Sequence, residues 1–485
     1  MVKHSLLFIA MLGVGACSLA PHYTVPETPV PAQYKNQGAW SLAAPSDQIS
    51  RDGWWRVYRD PQLDALQQQL LSNNPNLSAA LAHYAQAQAF VAQVNSALLP
   101  TVKGFGNGQR IRQSDTRPLR STTTDNVYNS GTLGLQVDYE VDLWGRVRDS
   151  VNAGTDEAQA SLADLASVRL SLQAQLADSY IRLRGLDQQT RLLEQTTEAF
   201  SKAVNLTQGL HDGGIVSGLD VARANAQLSS ARSQLKQNTV QRALLEHSIA
   251  ALTGASASQF SISPSTDVLP LAVVPTGVPS TLLQRRPDIA AAERRIAAAN
   301  ARIGVARSAF FPTLTLSAQG GYQSDEFAHL LSAPNLFWAI GPALVTTIFD
   351  GGLRQAQVDA AKAATDEAGG KYRAQVLTAF EQVEDNLTII DGLGSALEDQ
   401  RAAAEAAQYS ENLSLARYKQ GAVGYLDVVV AQTASLQAQR SVIDLQTQQL
   451  AASVGLVKAL GGGWNSADLA VEATSKKVDP AARIQ

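Results

Sequence analysis

The sequence predicts an α+β membrane protein, in which a few alternating strands per chain join a β-barrel shared between copies and long helices continue it. Three observations predict this class. The chain carries one plan twice. Its helical stretches match pairwise in length. Its strand-like stretches alternate apolar and polar residues over about ten positions, the span of an outer-membrane barrel strand.

The repeat is read directly. His211–Val221 is HDGGIVSGLDV and Tyr418–Val428 is YKQGAVGYLDV, so Gly214 aligns with Gly421 and Asp220 with Asp427 at an offset of 207. Upstream, SALLPT ends one stretch and SAFFPT another, with Pro100 over Pro312 at an offset of 212. Each half then runs short helix, proline, strand, strand, long helix, glycine turn, helix. The expected division is a leader at 1–16, an N-terminal extended segment at 17–75 and a first repeat at 76–254. A proline-rich linker at 255–287, a second repeat at 288–463 and a tail at 464–485 complete it.

The helices are taken in order. Residues 150–212 lack proline and keep helical spacing, which gives roughly 95 Å. The pieces 76–98 and 217–252, laid end to end, give about 89 Å. In the second half, 352–419 gives about 100 Å, and 288–310 with 424–460 about 90 Å. Two short helices therefore nearly match one long helix in each half, as in a cylinder wall of coiled pairs. Soluble coiled coils have the same helical signature.

The strands carry the membrane reading. Leu133, Leu135, Val137, Tyr139, Val141 and Leu143 fall on one face of Leu133–Leu143, against Gln136, Asp138, Glu140 and Asp142 on the other. In Thr313–Tyr322, Leu314, Leu316, Ala318 and Tyr322 oppose Thr313, Thr315, Ser317 and Gln319. Phe337–Phe349 is apolar with weaker alternation, and Val102–Arg110 is rich in glycine. A soluble sheet with one buried face has this period too. Four strands, however, cannot close in lipid, because unpaired edge N–H and C=O groups find no partners there. Three copies bring about twelve strands, inside the known range for barrels. The expectation is a homotrimer.

Composition closes other routes. The chain has 485 residues, 45% hydrophobic, 6% aromatic and 17% charged, with net charge −4. That balance speaks against a nucleic-acid surface. Past the N-terminus no run of 18 apolar residues marks a membrane helix. No HExxH, GxSxG, P-loop or strand-borne GxGxxG is present, so no enzyme is expected. The six histidines lack metal spacing, and no cofactor is expected.

Lys3, the apolar run Leu6–Val14 and Gly15-Ala16 before Cys17 form a leader. Val14-Gly15-Ala16-Cys17 looks like a bacterial lipobox, which puts S-diacylglycerol and N-palmitoyl groups on Cys17. Ordinary signal cleavage after Ala16 reads the same residues. Cys17 is the only cysteine, and Ser18 after it leans the lipoprotein towards the outer membrane.

Along nearly the whole mature chain the residues carry a resemblance. The stretches are CSLAPHYTVPETPVP, WWRVYRDPQLDALQQQLLSNNPNL, YEVDLWGRVR, GGIVSGLDV, RRPDI, ARIGVARSAFFPTLTL, TTIFDGG, YKQGAVGYLDV and LVKALGGGW. Their order resembles the TolC-like outer-membrane factor family, above all the OprM-like and NodT-like lipoproteins of resistance-nodulation-division (RND) efflux systems. The resemblance implies a passive outer-membrane exit duct, lipid-anchored, with its helical tunnel in the periplasm. Its implied partners are a periplasmic membrane-fusion adaptor and an inner-membrane RND pump.

It also implies site residues. Gly214, Ile215, Val216 and Ser217, with Gly421, Ala422, Val423 and Gly424, fall where the family meets its adaptor. Asp427 falls where relatives place a ring of acids at the closed end, and Asp220 is its first-half counterpart. Val430 stands where some relatives carry a second acid, which points to a partly apolar gate. Tyr418 matches a latch tyrosine, whereas Val423 replaces the basic latch partner. Local readings stand beside these: glycine ends helices, and Ser217 with Asp220 has capping-box spacing. The same fold serving type I protein secretion or metal efflux, or a non-pore periplasmic coiled-coil scaffold, are the rival readings.

Overall fold

The computed structural model describes residues 18–28, 30, 31, 34, 35, 53–116, 118, 125–271, 282–467 and 469. The leader, Cys17 and the tail beyond 469 lie outside the described residues, as do 272–281 of the expected linker.

Helices α1 (Pro61–Asn73) and α2 (Pro75–Ser96) begin on local signals. The Asp60 carboxylate accepts from the Gln62 and Leu63 N–H groups at 2.8 and 3.1 Å, with Pro61 at the first helical position. That arrangement satisfies donors the helix start would leave open. Asn74 does the same for Leu77 at 3.0 Å. Strands β1 (Thr101–Arg112) and β2 (Val127–Val141) follow, then α3 (Arg146–Asp212) and α4 (Gly218–Leu252). The second half gives α5 (Pro287–Ser308), β3 (Thr313–Ser324), β4 (Leu336–Val345), α6 (Leu353–Lys419) and α7 (Tyr425–Ala459). The long helices α3 and α6 have 67 residues each, α4 and α7 have 35 each, and α2 and α5 have 22 each. The repeat therefore holds residue for residue within the helices.

The strand boundaries moved. Leu143 leaves β2, because the Asp142 carboxylate accepts from the Val147 and Arg148 N–H groups at 3.2 and 3.0 Å and starts α3 instead. The apolar stretch expected to reach Phe349 stops at Val345, where its pairing with Thr313 of β3 ends.

The chain falls into two compact units. Taken over the described residues, one comprises 18–26, His83–Ser161 and Ala292–Tyr372, and the other 27–82, Leu162–Ala291 and 373–469. The first unit holds the sheet, ordered β1-β2-β3-β4 and antiparallel throughout. The register lines up one apolar face. Val137 lies between Val102 and Ala318, and Ala318 pairs with Ile340; Tyr139 meets Leu316, which pairs with Pro342; Val141 meets Leu314, which pairs with Leu344. Trp338 and Ile340 on this face are 74% and 76% exposed. The opposite face is mostly polar on β1–β3, with Phe105, Ile111 and Tyr128 as the exceptions. Gln136 and Ser317 donate to Asp138 at 2.9 Å each, and Lys103 lies 3.6 Å from it. Among the described residues, the outer edges of β1 and β4 have no strand beside them.

The second unit carries the large core. Trp54, Tyr58, Leu63, Leu70, Leu176, Tyr180 and Ile249 are all but fully buried. Tyr58 shares a hydrogen bond with Ser453 at 2.8 Å. Residues 255–271 have no helix or strand, yet they are not a free linker. Ile262 and Leu269 are buried. Arg242, paired to buried Asp187 at 2.6 Å, donates to the Ile262 carbonyl at 2.7 Å. Burying those two aliphatic side chains removes apolar surface from water and fixes the segment. The Arg285-Arg286-Pro287 run starts α5 through an ion pair, Arg286 to Asp288 at 2.6 Å.

Candidate functional site

The turns that join each long helix to its shorter partner are built alike. Gly214 and Gly421 have φ of 72° and 74°. Their N–H groups donate to the His211 and Tyr418 carbonyls at 2.8 and 2.9 Å. The next N–H groups, of Ile215 and Ala422, reach back to Leu210 and Arg417 at 2.8 and 2.9 Å. This double closure satisfies carbonyls that a helix end leaves open, and it needs a left-handed residue, where glycine is least strained. Ser217 and Gly424 then start α4 and α7 in extended conformation.

The capping box expected from Ser217 and Asp220 does not form. The Ser217 side chain caps no backbone N–H. Its hydroxyl donates to the Asp220 carboxylate at 3.2 Å, and Arg223 pairs with the same carboxylate at 3.4 Å. The first turn closes through the main chain, with Asp220 N–H donating to the Ser217 carbonyl at 3.1 Å. Gly424 has no side chain to cap with, and Asp427 repeats that main-chain closure at 3.2 Å.

The two acids therefore differ. Asp220 is half-buried and paired. Asp427 is exposed, and its carboxylate has no partner among the described residues. Val430 and Leu426 share its exposed helical face; at the first turn Leu219 is the exposed counterpart of Leu426, Ile215 is exposed too, and Arg223 stands in the place of Val430. Tyr425 and Val428 point the other way and pack with Ala224 and Tyr418, while Val423 covers their edge half-buried. The Tyr418 and Tyr425 rings lie edge-on at 5.2 Å. The Tyr418 hydroxyl donates to Thr207 at 3.5 Å, a long contact. Burial first, then Tyr418 and Asp220, pushes the Tyr425 phenol up to about 12. Side chains from both halves thus make one small core behind the turns.

Of the adaptor candidates, Gly214, Ile215, Ser217, Gly421, Ala422 and Gly424 are exposed, and Val216 and Val423 are half-buried. Tyr425, Thr207 and Arg223 escaped the sequence reading. Tyr425 aligns with Gly218 in the other half, so the repeat gave it no signal.

In the first unit, residues 18–23 lie along α5. Ser18 donates to Asp149 at 2.7 Å, Arg307 to the Leu19 carbonyl at 3.0 Å, Asn300 to the Pro21 carbonyl at 2.8 Å, and Tyr23 to Glu293 at 2.6 Å. Asp149 is 1% exposed, and burial raises its carboxyl above the ordinary range, against the Ser18 hydroxyl. A Cβ on Gly304 would fall inside contact distance of Asp149 and of the Ala20 nitrogen, 2.7 Å away, so only glycine admits the segment here. Ser18 thus lies at the end of α5 that leads into β3. Among the described residues no cluster of His, Cys, Asp and Glu has metal-site geometry, and no helix is long and apolar enough to cross a membrane.

Comparisons with known proteins agree on one family. A family model described as outer membrane efflux protein matches residues 66–255 and 278–462. The antibiotic efflux pump outer membrane protein ArpC of Pseudomonas putida is 34% identical over 466 residues, covering 95% of this chain and 96% of that protein. The pyoverdine export outer membrane protein OpmQ of Pseudomonas aeruginosa is 34% identical over 471 residues, covering 96% and 98%. The crystal structure of the Campylobacter jejuni CmeC outer membrane channel superposes with a TM-score of 0.88 at 26% identity, covering 96% of this chain and 100% of that one.

Proposed function

The chain belongs to the outer membrane efflux protein family, and from that premise we propose that it is the exit duct of a tripartite pump. It is an outer-membrane efflux channel protein. In the proposed assembly three copies share one barrel, a periplasmic membrane-fusion adaptor meets their tips, and an inner-membrane RND pump supplies the work.

One observation carries the shared barrel. Among the described residues the four-stranded sheet ends in two unpaired edges, while one face is apolar from the helix end up to Gly108. Edge groups cannot face hydrocarbon unpaired. Other copies must therefore close the sheet, and three supply about twelve strands.

The turns are the proposed gate and adaptor surface. Exposed, unpaired Asp427 is the gate acid, and three copies of it near one axis repel each other and draw cations. Val430 adds an apolar ring beside it. Tyr418 and Asp220 hold the turn core behind the gate, Asp220 through Arg223. The exposed residues Ile215, Ser217, Gly421 and Ala422 offer the adaptor a surface that is apolar and low in charge.

Docking of Ser18 against Asp149 supports a lipid anchor on Cys17, since it brings the chain to the sheet end of α5. Relatives named for an antibiotic pump and for pyoverdine export support a duct wall that does not select its cargo. The RND assignment rests on the resemblance in sequence, with type I secretion and metal efflux as the alternatives.

Planar bilayers test the gate. Asp427→Ala is expected to raise resting conductance or to lower cation selectivity. A variant identical to the parent in both would remove Asp427 from the gate.

A further inference from the structure

The apolar face of the sheet has a hollow in it. On β1 the outward positions over the hollow are Gly104 and Gly106, and on β3 Gly320 lies across from Leu135; past them the Phe327 ring covers Gly108 and Gly131. The absent side chains leave an apolar groove of about 760 Å³, walled by Leu133, Leu135, Tyr322, Leu331 and Leu336. A hollow of that size matches a ligand site rather than a packing gap. It is continuous with the face that meets lipid, where no water is present to fill it. Pairing of the β1 edge with another copy uses backbone groups and leaves these outward positions on the lipid side. An alkyl chain is the occupant that this interface supplies.

The same column of β1 changes character at its loop end. After Gly108 the next outward residues are Arg110 and Arg112, both exposed. From Val102 to Arg110 the strand rises about 27 Å. At the usual tilt this is roughly 20 Å of depth, close to the ~25 Å apolar band of such barrels. With Val102 near one boundary, the two guanidinium groups reach the other. Arg112 lies 3.8 Å from Asp115 but keeps 75% of its side chain exposed. The helices leave the sheet from the opposite end of the strands, so this end faces the cell exterior. Planar cations just beyond the Phe327-covered end of an alkyl groove match phosphate carried on acyl chains.

We infer that the groove and Arg110 with Arg112 bind a phosphorylated, multiply acylated lipid of the outer leaflet, one in each subunit. The inference rests on the placement of the sheet in the outer membrane. To test it, purified, delipidated protein is offered lipid A, dephosphorylated lipid A or phosphatidylglycerol, and bound lipid is counted by native mass spectrometry. Lipid A is expected to be retained about tenfold better than either comparison lipid, the worth of one charge-assisted contact. Arg110→Gln combined with Arg112→Gln is expected to erase that preference. Gly106→Leu has room for its Cβ, 3.6 Å from Leu133, and is expected to fill the groove and lower retention of all three lipids. Equal retention of lipid A and its dephosphorylated form, or a preference unchanged in the double arginine variant, overturns the site. Phosphatidylglycerol held as well as lipid A overturns the outer-leaflet source. Conductance of the same preparation separates the two claims: a conducting protein that ignores phosphate sinks only the lipid site, and a silent one sinks the membrane placement itself.

Discussion

Tyr425 and Asp427 stand two residues apart on α7 and face opposite ways, one 2% exposed and the other open to solvent. Asp427 was readable in the sequence, because the repeat and the family resemblance both mark it. The missing local partner was readable too, since Arg223 pairs with Asp220 three residues on and the repeat puts Val430 at that place after Asp427. Tyr425 was illegible, because its neighbours Ala224 and Tyr418 come from different helices. The same holds for Ser18 and Asp149, 131 positions apart. Burial makes Tyr425 a probe of the turn. Its phenol has an ordinary value of 10.0 and is held at about 12 in the fold. The neutral form therefore contributes its full stabilisation below pH 10, and that contribution is lost as pH rises through 12. A phenolate absorbance step near pH 12, absent in Tyr425→Phe, is expected. A step that survives in the phenylalanine variant would assign it to another tyrosine.

Among the elements, helices were the legible part. Their ends fell within a few residues of expectation because proline, aspartate and glycine punctuate them. Strands were less so, because a strand's length is set by its partner. Ile348 and Phe349 continue the apolar run after β4 but are about nine-tenths exposed once β3 has ended. The turns allow a clean measurement. A Cβ at Gly214 or Gly421 would meet nothing within 4 Å, so substitution there costs only backbone strain. Gly421→Ala and Gly214→Ala are each expected to destabilise their turn by about 1–2 kcal/mol. Hydrogen exchange of the turn amides checks this. Unaltered exchange in both variants would mean that the left-handed residue is not what holds the closure.

For the molecule as a whole, the sequence carried the class and the need for copies, because alternation and strand number are both visible in it. It did not carry the pinning of residues 255–271, which depends on the buried Asp187–Arg242 pair. The barrel reading makes neighbouring residues behave unlike each other. Ile340 faces outward beside Ala318, and Ala339 faces the other side beside Gln319. Ile340→Arg is expected to cost about 2–4 kcal/mol of barrel stability, as a cation does at the membrane midplane. Ala339→Arg is expected to be tolerated. Heat-modifiable migration on gels reads both, and equal loss of the folded band in the two variants would contradict a lipid-facing sheet.

The matched 67- and 35-residue helices have a further consequence, one for how such a gene can change. A heptad added to a helix in one half would carry its end roughly 10 Å beyond its twin, so insertions there survive only when both halves receive them. The hairpin loops at 113–126 and 325–335 bear no such constraint. Descendants of this chain should therefore vary freely at the cell surface and keep their rods to a common length.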